Sequence, residues 1–360
     1  MRVLILGGTG AMGVHLKSIL AERGDEVFIT SRRPQKNSPQ IHYFRGDAHD
    51  LVFLRPLLDK RWDAIVDFMV YSTKEFSLRV GLLLDSTDQY VFMSSARVYS
   101  NIESPITESS PRLLDSCKDE AFLSTDEYSL KKAREEDLLS KSGRMNYTII
   151  RPYITYSENR LQLGDLEYQY WLPRALDGRS IVFSEDIKDH LTTLTYGHNV
   201  AEGIAALIGN KQAMGEVFNI TSGCSLAWSN VLNIYLDAIE DYTGNRPNVK
   251  WIKQSLKLDR AKLKYQIIYD RLFDRVFDNS KLLNIAPTLS FIRPKEGLRS
   301  CIKAFVNSGE PLTFSGAREG ILDRLSGDRM RISRLQGTKE KVKYILCRYF
   351  YFDKIFKTMQ

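Results

Sequence analysis

The run RVLILGGTGAMGVHLKSILAERG, residues 2–24, sets an apolar strand, a glycine turn and an amphipathic helix in immediate succession. Gly7, Gly10 and Gly13 fit a GxxGxxG spacing, and Thr9 and Met12 lie in the same turn. Glycine permits a tight turn and close approach of a pyrophosphate to the backbone. The helix that follows offers unpaired N–H groups and the positive end of its dipole. A glycine motif alone is weak evidence; its place between the first strand and the first helix is what marks it as a dinucleotide site.

Outward from this run, Arg2–Leu6, Glu26–Thr30, Ile41–Arg45, Ala64–Phe68, Tyr90–Ser94 and Tyr147–Arg151 read as strands. Residues 11–23, 50–59, 73–85 and 126–142 have helical spacing. Such alternation predicts a parallel sheet covered on both faces, because each crossover lays an apolar stripe against it. Runs such as VLIL, AIVDF and YTII are apolar on both sides, as buried parallel strands require. Beyond about residue 153 the pattern turns irregular, with a helix expected at Val200–Ile208 and a strand at Glu216–Ile220. The expected fold class is α/β: a doubly wound parallel sheet over 1–152, to which 192–209 return. A smaller C-terminal α/β substrate region (153–310) and a basic helical tail (318–360) complete it.

A chain of 360 residues with 43% hydrophobic and 26% charged residues is neither disordered, collagen-like nor a disulfide-stapled mini-domain. Its four cysteines are scattered without a CxxC pair, and its five histidines lack metal-ligand spacing. No metal site is expected, and the cysteine usage suits a reducing compartment. With no leader signature and no run of about 18 uncharged apolar residues, the expected setting is the cytoplasm. The net charge of +7 is uneven: residues 317–360 hold eleven Lys/Arg against five Asp/Glu. The remaining chain is nearly neutral, which argues against nucleic acid as a partner of the main body.

The end of the second strand bears on the choice of cofactor. An NAD-selecting site usually carries Asp or Glu there for the ribose 2′-hydroxyl. Here it reads Thr30-Ser31-Arg32-Arg33, so two guanidiniums and a hydroxyl are placed to neutralise a 2′-phosphate, unless they are solvated loop charges. NAD and NADP both stay open, with a lean to NADP. Asp47, after the third strand, either contacts adenine or forms a turn with Gly46.

Tyr128-Ser129-Leu130-Lys131-Lys132 is a YxxxK spacing, and on a helix positions i and i+4 share a face. A free phenol, with a pKa of about 10, is a poor base at neutral pH. An adjacent ammonium and an oxidised nicotinamide both favour the phenolate, so Tyr128 can exchange a proton with a substrate hydroxyl. Lys132 would also hold the cofactor ribose. Ser94 and Ser95 close the fifth strand, at the edge where open parallel sheets bind ligands. Ser95 is expected to donate to the substrate oxygen and Ser94 to be structural, the alternative for both being turn or cap hydrogen bonds.

In order and spacing, GGTGAMG, SSARVY, YSLKK and RPYITY resemble the extended short-chain dehydrogenase/reductases of the nucleotide-sugar epimerase/dehydratase branch. The likeness continues through YWLPRALDGR (170–179), HNVAEGI (198–204), VFNITSG (217–223) and FDNSKLLNIAP…EGL (277–298), covering about residues 1–306. The resemblance implies a Rossmann domain with a small substrate domain, and Ser95, Tyr128 and Lys132 as a catalytic triad. It also puts Gly7, Gly10 and Gly13 on the pyrophosphate, and Arg151 and Pro152 beside the nicotinamide. It further implies a nucleotide-sugar substrate and a homodimer formed by helices 73–85 and 126–142.

The chain also departs from the pattern. Ala96 and Arg97 stand where dehydratases of the branch carry an Asp-Glu pair, so 4,6-dehydration is not expected. Leu78-Arg79-Val80-Gly81 lacks the usual Asn, Tyr156-Ser157-Glu158 replaces Tyr-Gly-Pro, and Asn199 replaces an expected Asp. These changes resemble a divergent branch, some of whose relatives have become RNA-binding proteins.

The expected function is therefore an NAD(P)-dependent nucleotide-sugar epimerase. The alternatives are an NADPH-dependent reductase and a non-catalytic dinucleotide- or RNA-binding protein. In the second region Arg160, Tyr168, Tyr170, Trp171 and Arg174 mix cations with aromatic faces, as a nucleoside diphosphate needs. Arg160, Tyr170, Trp171 and Arg174 are the expected substrate contacts. In the tail Val342, Ile345, Leu346, Tyr349, Phe352 and Phe356 share a helical face. Such a helix over 339–357 rests on an anionic membrane, on the protein's own body or on a second subunit.

Overall fold

The computed structural model describes residues 1–258, 263–309 and 311–351. It divides into two units. The first comprises Met1–Ser157, Leu191–Ser225 and Phe273–Pro294; the second comprises Glu158–His190, Leu226–Leu272 and Lys295–Gln360.

The first unit is built on a seven-stranded sheet. Its strands are β1 (Arg2–Leu6), β2 (Glu26–Ser31), β3 (Ile41–Arg45), β4 (Trp62–Asp67), β5 (Thr87–Met93), β6 (Tyr147–Pro152) and β7 (Glu216–Ile220). Their spatial order is β7-β6-β5-β4-β1-β2-β3, every pairing parallel. The helices α1 (Gly13–Glu22), α2 (Leu51–Leu58), α3 (Thr73–Ser77), α4 (Val80–Asp85), α5 (Tyr128–Ser140) and α6 (Gly197–Leu207) are the main crossovers.

Strand β1 shows why both faces are covered. Val3 and Ile5 join the core of Leu16 and Leu20 from α1 and Val200 and Ile204 from α6. Leu4 and Leu6, one step out of phase, join Leu54 and Leu58 of α2, Leu83 of α4 and Leu139 of α5. Each such buried aliphatic side chain contributes about 1.5–3 kcal/mol. The chain reverses its direction of growth at β1, with β2 on one side and β4 on the other. Open parallel sheets bind ligands outside the carboxyl ends of the strands at such a switch, here where Leu6 of β1 pairs with Asp67 of β4.

The helix expected over 73–85 is interrupted. Arg79 turns inward at the break, its guanidinium donating to the carbonyls of Glu75, Ala48 and His49 and lying 4.3 Å from the Tyr71 ring centre. The first helix starts at Gly13 rather than 11, because the glycine turn runs up to Met12.

In the second unit the helices Tyr168–Leu176 and Trp228–Thr243 meet through Trp171 and Tyr235, with ring centres 4.4 Å apart. Ile181–Ser184 and Val249–Ile252 form a parallel pair. A C-terminal hairpin of helices, Gly316–Ser326 and Thr338–Tyr349, packs so closely that a Cβ at Gly316 would lie 1.8 Å from the Glu340 carbonyl oxygen. An ionic cluster fixes this hairpin. Glu319 and Asp323, buried on its first helix, each accept from both Arg174 and Arg179 at 2.6–3.0 Å. Asp323 also accepts from Tyr344 Oη at 2.8 Å.

The basic tail therefore docks on the second unit's own body as far as Tyr349, burying Tyr344 and Cys347 and leaving Val342 and Tyr349 exposed. Phe352, Lys354, Phe356 and Lys357 lie outside the described residues. Among the described residues no helix is long and apolar enough to cross a membrane.

Candidate functional site

The glycine turn has the features a pyrophosphate requires. Gly7 adopts φ +73°, and its N–H donates to Thr30 Oγ1 at 3.1 Å. A Cβ at Gly13 would sit 2.5 Å from the Gly8 carbonyl oxygen, whereas one at Gly10 would meet nothing within 4 Å. The turn is thus compact on its inner side and open at Gly10. Thr9 is exposed, and Met12 precedes α1 with its Sδ accepting from Thr155 Oγ1 at 3.8 Å.

At the end of β2, Ser31 is occupied by a local turn: its Oγ donates to the Arg33 carbonyl and accepts from the Arg33 N–H. Arg32 and Arg33 are exposed and have no carboxylate partner among the described residues. Asp47 is exposed and forms a turn, with Oδ1 accepting from the His49 N–H at 3.0 Å.

Tyr128 opens α5. Glu127 caps that helix, accepting from the Ser129 N–H at 2.7 Å and from Arg97 Nη2 at 2.6 Å. The Arg97 guanidinium in turn lies 5.1 Å from the centre of the half-buried Tyr128 ring. Arg97 thus brings the turn after β5 onto the tyrosine, where a dehydratase would need its Asp-Glu pair. Ser95 is buried, and its Oγ accepts from the Arg97 N–H at 3.2 Å, capping the short helical turn that follows. Ser94 Oγ donates to Glu136 at 2.5 Å.

Lys132, one turn beyond Tyr128, is buried at 1% exposure. Its Nζ lies 3.5 Å from the Met69 carbonyl, 3.0 Å from Glu135 Oε2 and 4.5 Å from the Phe92 ring centre. Met69 is the link to the glycine turn: its Sδ would be 2.8 Å from a Cβ at Gly7. The tyrosine–lysine helix and the glycine turn therefore meet at one residue just past β4.

Around Lys132 stands a group of polar residues that spacing arguments did not single out. Asp67 accepts from the Met69 N–H at 2.9 Å, from Tyr90 Oη at 2.8 Å and from Tyr71 Oη at 3.5 Å. Burial raises its pKa, opposed by those hydrogen bonds and by Lys132. Burial also pushes the Glu135 carboxyl up to about 7, with Lys132 opposing. The available signal was positional, since Glu135 and Glu136 lie three and four residues after Lys132 and so share its helix face.

Three expected ligand contacts are corrected. The Arg151 guanidinium is committed inward, to Glu136 at 2.6 and 2.8 Å, Tyr99 Oη at 2.8 Å and the Glu108 carbonyl, so it braces the end of β6. Pro152 is buried beside it as the last residue of that strand. Arg174, fully buried, has its charge neutralised by Glu319 and Asp323 and is committed to the C-terminal hairpin. Trp171 is core, stacked on Tyr235. Tyr170 lies under Arg318, 3.4 Å from its ring centre, and Arg160 is exposed near Glu167. Among the described residues no cluster of His, Cys, Asp and Glu could hold a metal ion.

Comparison with known proteins adds an independent line. The model of the NAD dependent epimerase/dehydratase family matches residues 3–221. The chain is 26% identical over 242 residues to the chloroplast stem-loop binding protein of 41 kDa b from Arabidopsis thaliana. That match spans 61% of this chain and 58% of the relative, a little more than half its length. Among solved structures it is similar to the Bordetella bronchiseptica enzyme WbmH in complex with NAD+, with TM-score 0.65 and 16% identity over 86% of this chain and 99% of that one. The UDP-glucuronic acid 4-epimerase from Bacillus cereus, in complex with UDP-glucuronic acid and NAD, gives TM-score 0.65 and 16% identity over 86% and 100%. These likenesses bear out the Rossmann-type α/β architecture.

Proposed function

This chain belongs to the NAD dependent epimerase/dehydratase family, and from that premise we propose that it is an NAD-dependent epimerase of a nucleotide-linked sugar. The observation that carries the reading is the meeting of the Tyr128–Lys132 helix with the glycine turn at Met69. The residues fit a dinucleotide. Gly10 is open, the Gly7–Gly13 turn is compact, and α1 begins directly from that turn. Bound there, the cofactor supplies a hydride acceptor and donor at its nicotinamide C4.

The chain's own residues do the rest. Tyr128 takes the proton from a ring hydroxyl as the carbonyl forms and returns it on reduction from the other face. Ser95 Oγ, whose proton is not used by its bond to Arg97, donates to the developing oxygen. Lys132 holds the ribose hydroxyls and favours the Tyr128 phenolate. Arg32 and Arg33 leave NADP as an alternative cofactor, which would turn the same machinery into a reductase.

The test is incubation of the full chain with UDP- and dTDP-linked hexoses, products being read by proton NMR. Interconversion of a pair of epimers by wild type, lost in Tyr128→Phe, supports the reading. Turnover by Tyr128→Phe equal to wild type refutes it. A second reading, a stem-loop binding protein, is favoured by the likeness to the Arabidopsis stem-loop binding protein and by the exposed Arg329, Arg331 and Lys339. Affinity for a stem-loop RNA that falls steeply with salt and is lost when Arg329, Arg331 and Lys339 are replaced by Ala would support it.

A further inference from the structure

We infer that Glu135 is a positioning residue for Lys132, holding the ammonium against itself when ionised and releasing it to the cofactor ribose when protonated. This rests on the reading of Lys132 as the group that holds the ribose. The geometry is specific to this pair. Both side chains are buried, at 1% and 0% exposure, with Nζ and Oε2 3.0 Å apart. Neither Glu135 oxygen accepts a hydrogen bond among the described residues, so the ion pair is the polar contact the carboxyl has there. Asp67, the other carboxyl of the group, is held by three donors.

One ammonium cannot compensate two interior carboxylates. An ionised carboxylate without hydrogen bonds is the costlier of the two, so Glu135 is the one that takes up a proton first. An ammonium has three donors. With Glu135 ionised, the nitrogen sits 3.0 Å from Oε2 and 3.5 Å from the Met69 carbonyl, while the Phe92 ring covers another side. With Glu135 neutral its Coulomb attraction disappears, and the Met69 carbonyl and the charge of Asp67 are the remaining anchors.

The charged and titratable groups facing Glu135 are Lys132 and Lys131 on its own helix, Asp67 at the end of β4 and Tyr90 on β5. Helix α3 meets α5 elsewhere, through Thr73 and Asp126. The segment Leu113–Ser116 does so through Arg112, which bonds Glu136 and Asp137, and the turn after β5 through Arg97 and Glu127.

The experiment is NAD+ affinity of the full chain by calorimetry between pH 5.5 and 8.5, for wild type, Glu135→Gln and Lys132→Met. Wild type should bind about tenfold more weakly on the alkaline side of neutrality, the scale of one charge-assisted hydrogen bond. Glu135→Gln should stay at the tight end throughout, and Lys132→Met should bind weakly with no such transition. A transition that survives in Glu135→Gln belongs to another group and overturns the proposal. So does a flat wild-type profile, which needs no variant to be read. Glu135→Met replaces the Gln variant if that one fails to fold. Wild type that binds no NAD+ at any pH removes the dinucleotide reading itself, an outcome distinct from binding without pH dependence.

Discussion

Glu135 gives the free protein a stability that falls as pH rises, opposite in sign to a carboxylate held by surface partners. Its folded-state pKa is raised by burial from 4.5 to about 7. The folded state therefore binds more protons than the unfolded chain between those values. The contribution is fully present below about 4.5 and is lost as pH climbs to 7, beyond which it stays lost. The rise from 4.5 to about 7 corresponds to about 3 kcal/mol, of which about 2–3 kcal/mol falls between pH 5 and pH 8. In Glu135→Gln the side chain cannot ionise, so this part of the slope disappears. Whatever the variant costs by leaving Lys132 without its 3.0 Å partner is present at both pH values and cancels in the difference. Urea unfolding at pH 5 and pH 8, followed by circular dichroism, measures it directly. Relative to wild type, Glu135→Gln should be about 2–3 kcal/mol more favourable at pH 8 than at pH 5. A difference below about 0.5 kcal/mol would mean that the carboxyl is already ionised at pH 5 or reaches water, and the reasoning fails.

Gly13→Ala forces a Cβ to within 2.5 Å of the Gly8 carbonyl, so NAD+ affinity measured by calorimetry should fall roughly tenfold or more. Replacing Arg32 and Arg33 by Ala should weaken NADP+ binding roughly tenfold and leave NAD+ binding unchanged, since the two guanidiniums are exposed and otherwise uncommitted. Asp323→Asn breaks the pairing with Arg174 and Arg179 in a buried cluster and should cost about 3–5 kcal/mol in the unfolding of the second unit. Limited proteolysis should then cut within residues 316–349.

Much of the first unit was legible because parallel strands buried on both faces write continuous apolar runs, and the glycine turn must follow the first of them. That Tyr128 and Lys132 lie one turn apart on one helix was legible from their spacing. The polar setting of Lys132 was not, because Asp67, Tyr90 and Glu135 are brought together by sheet order rather than by spacing along the chain. Arg174 and Trp171 misled for a related reason. A cation or an aromatic ring reads the same in sequence whether it faces a ligand or a buried partner, and Arg174's partners, Glu319 and Asp323, lie about 145 residues further on. The inward turn of Arg79 likewise depends on carbonyls of residues 48 and 49, which no local pattern announces.

Native mass spectrometry of the purified full chain tests the central claim most directly. The account predicts one NAD or NADP per chain, either co-purified or taken up on addition, and released by Gly13→Ala. A chain that carries no dinucleotide and binds none at millimolar concentration would contradict it.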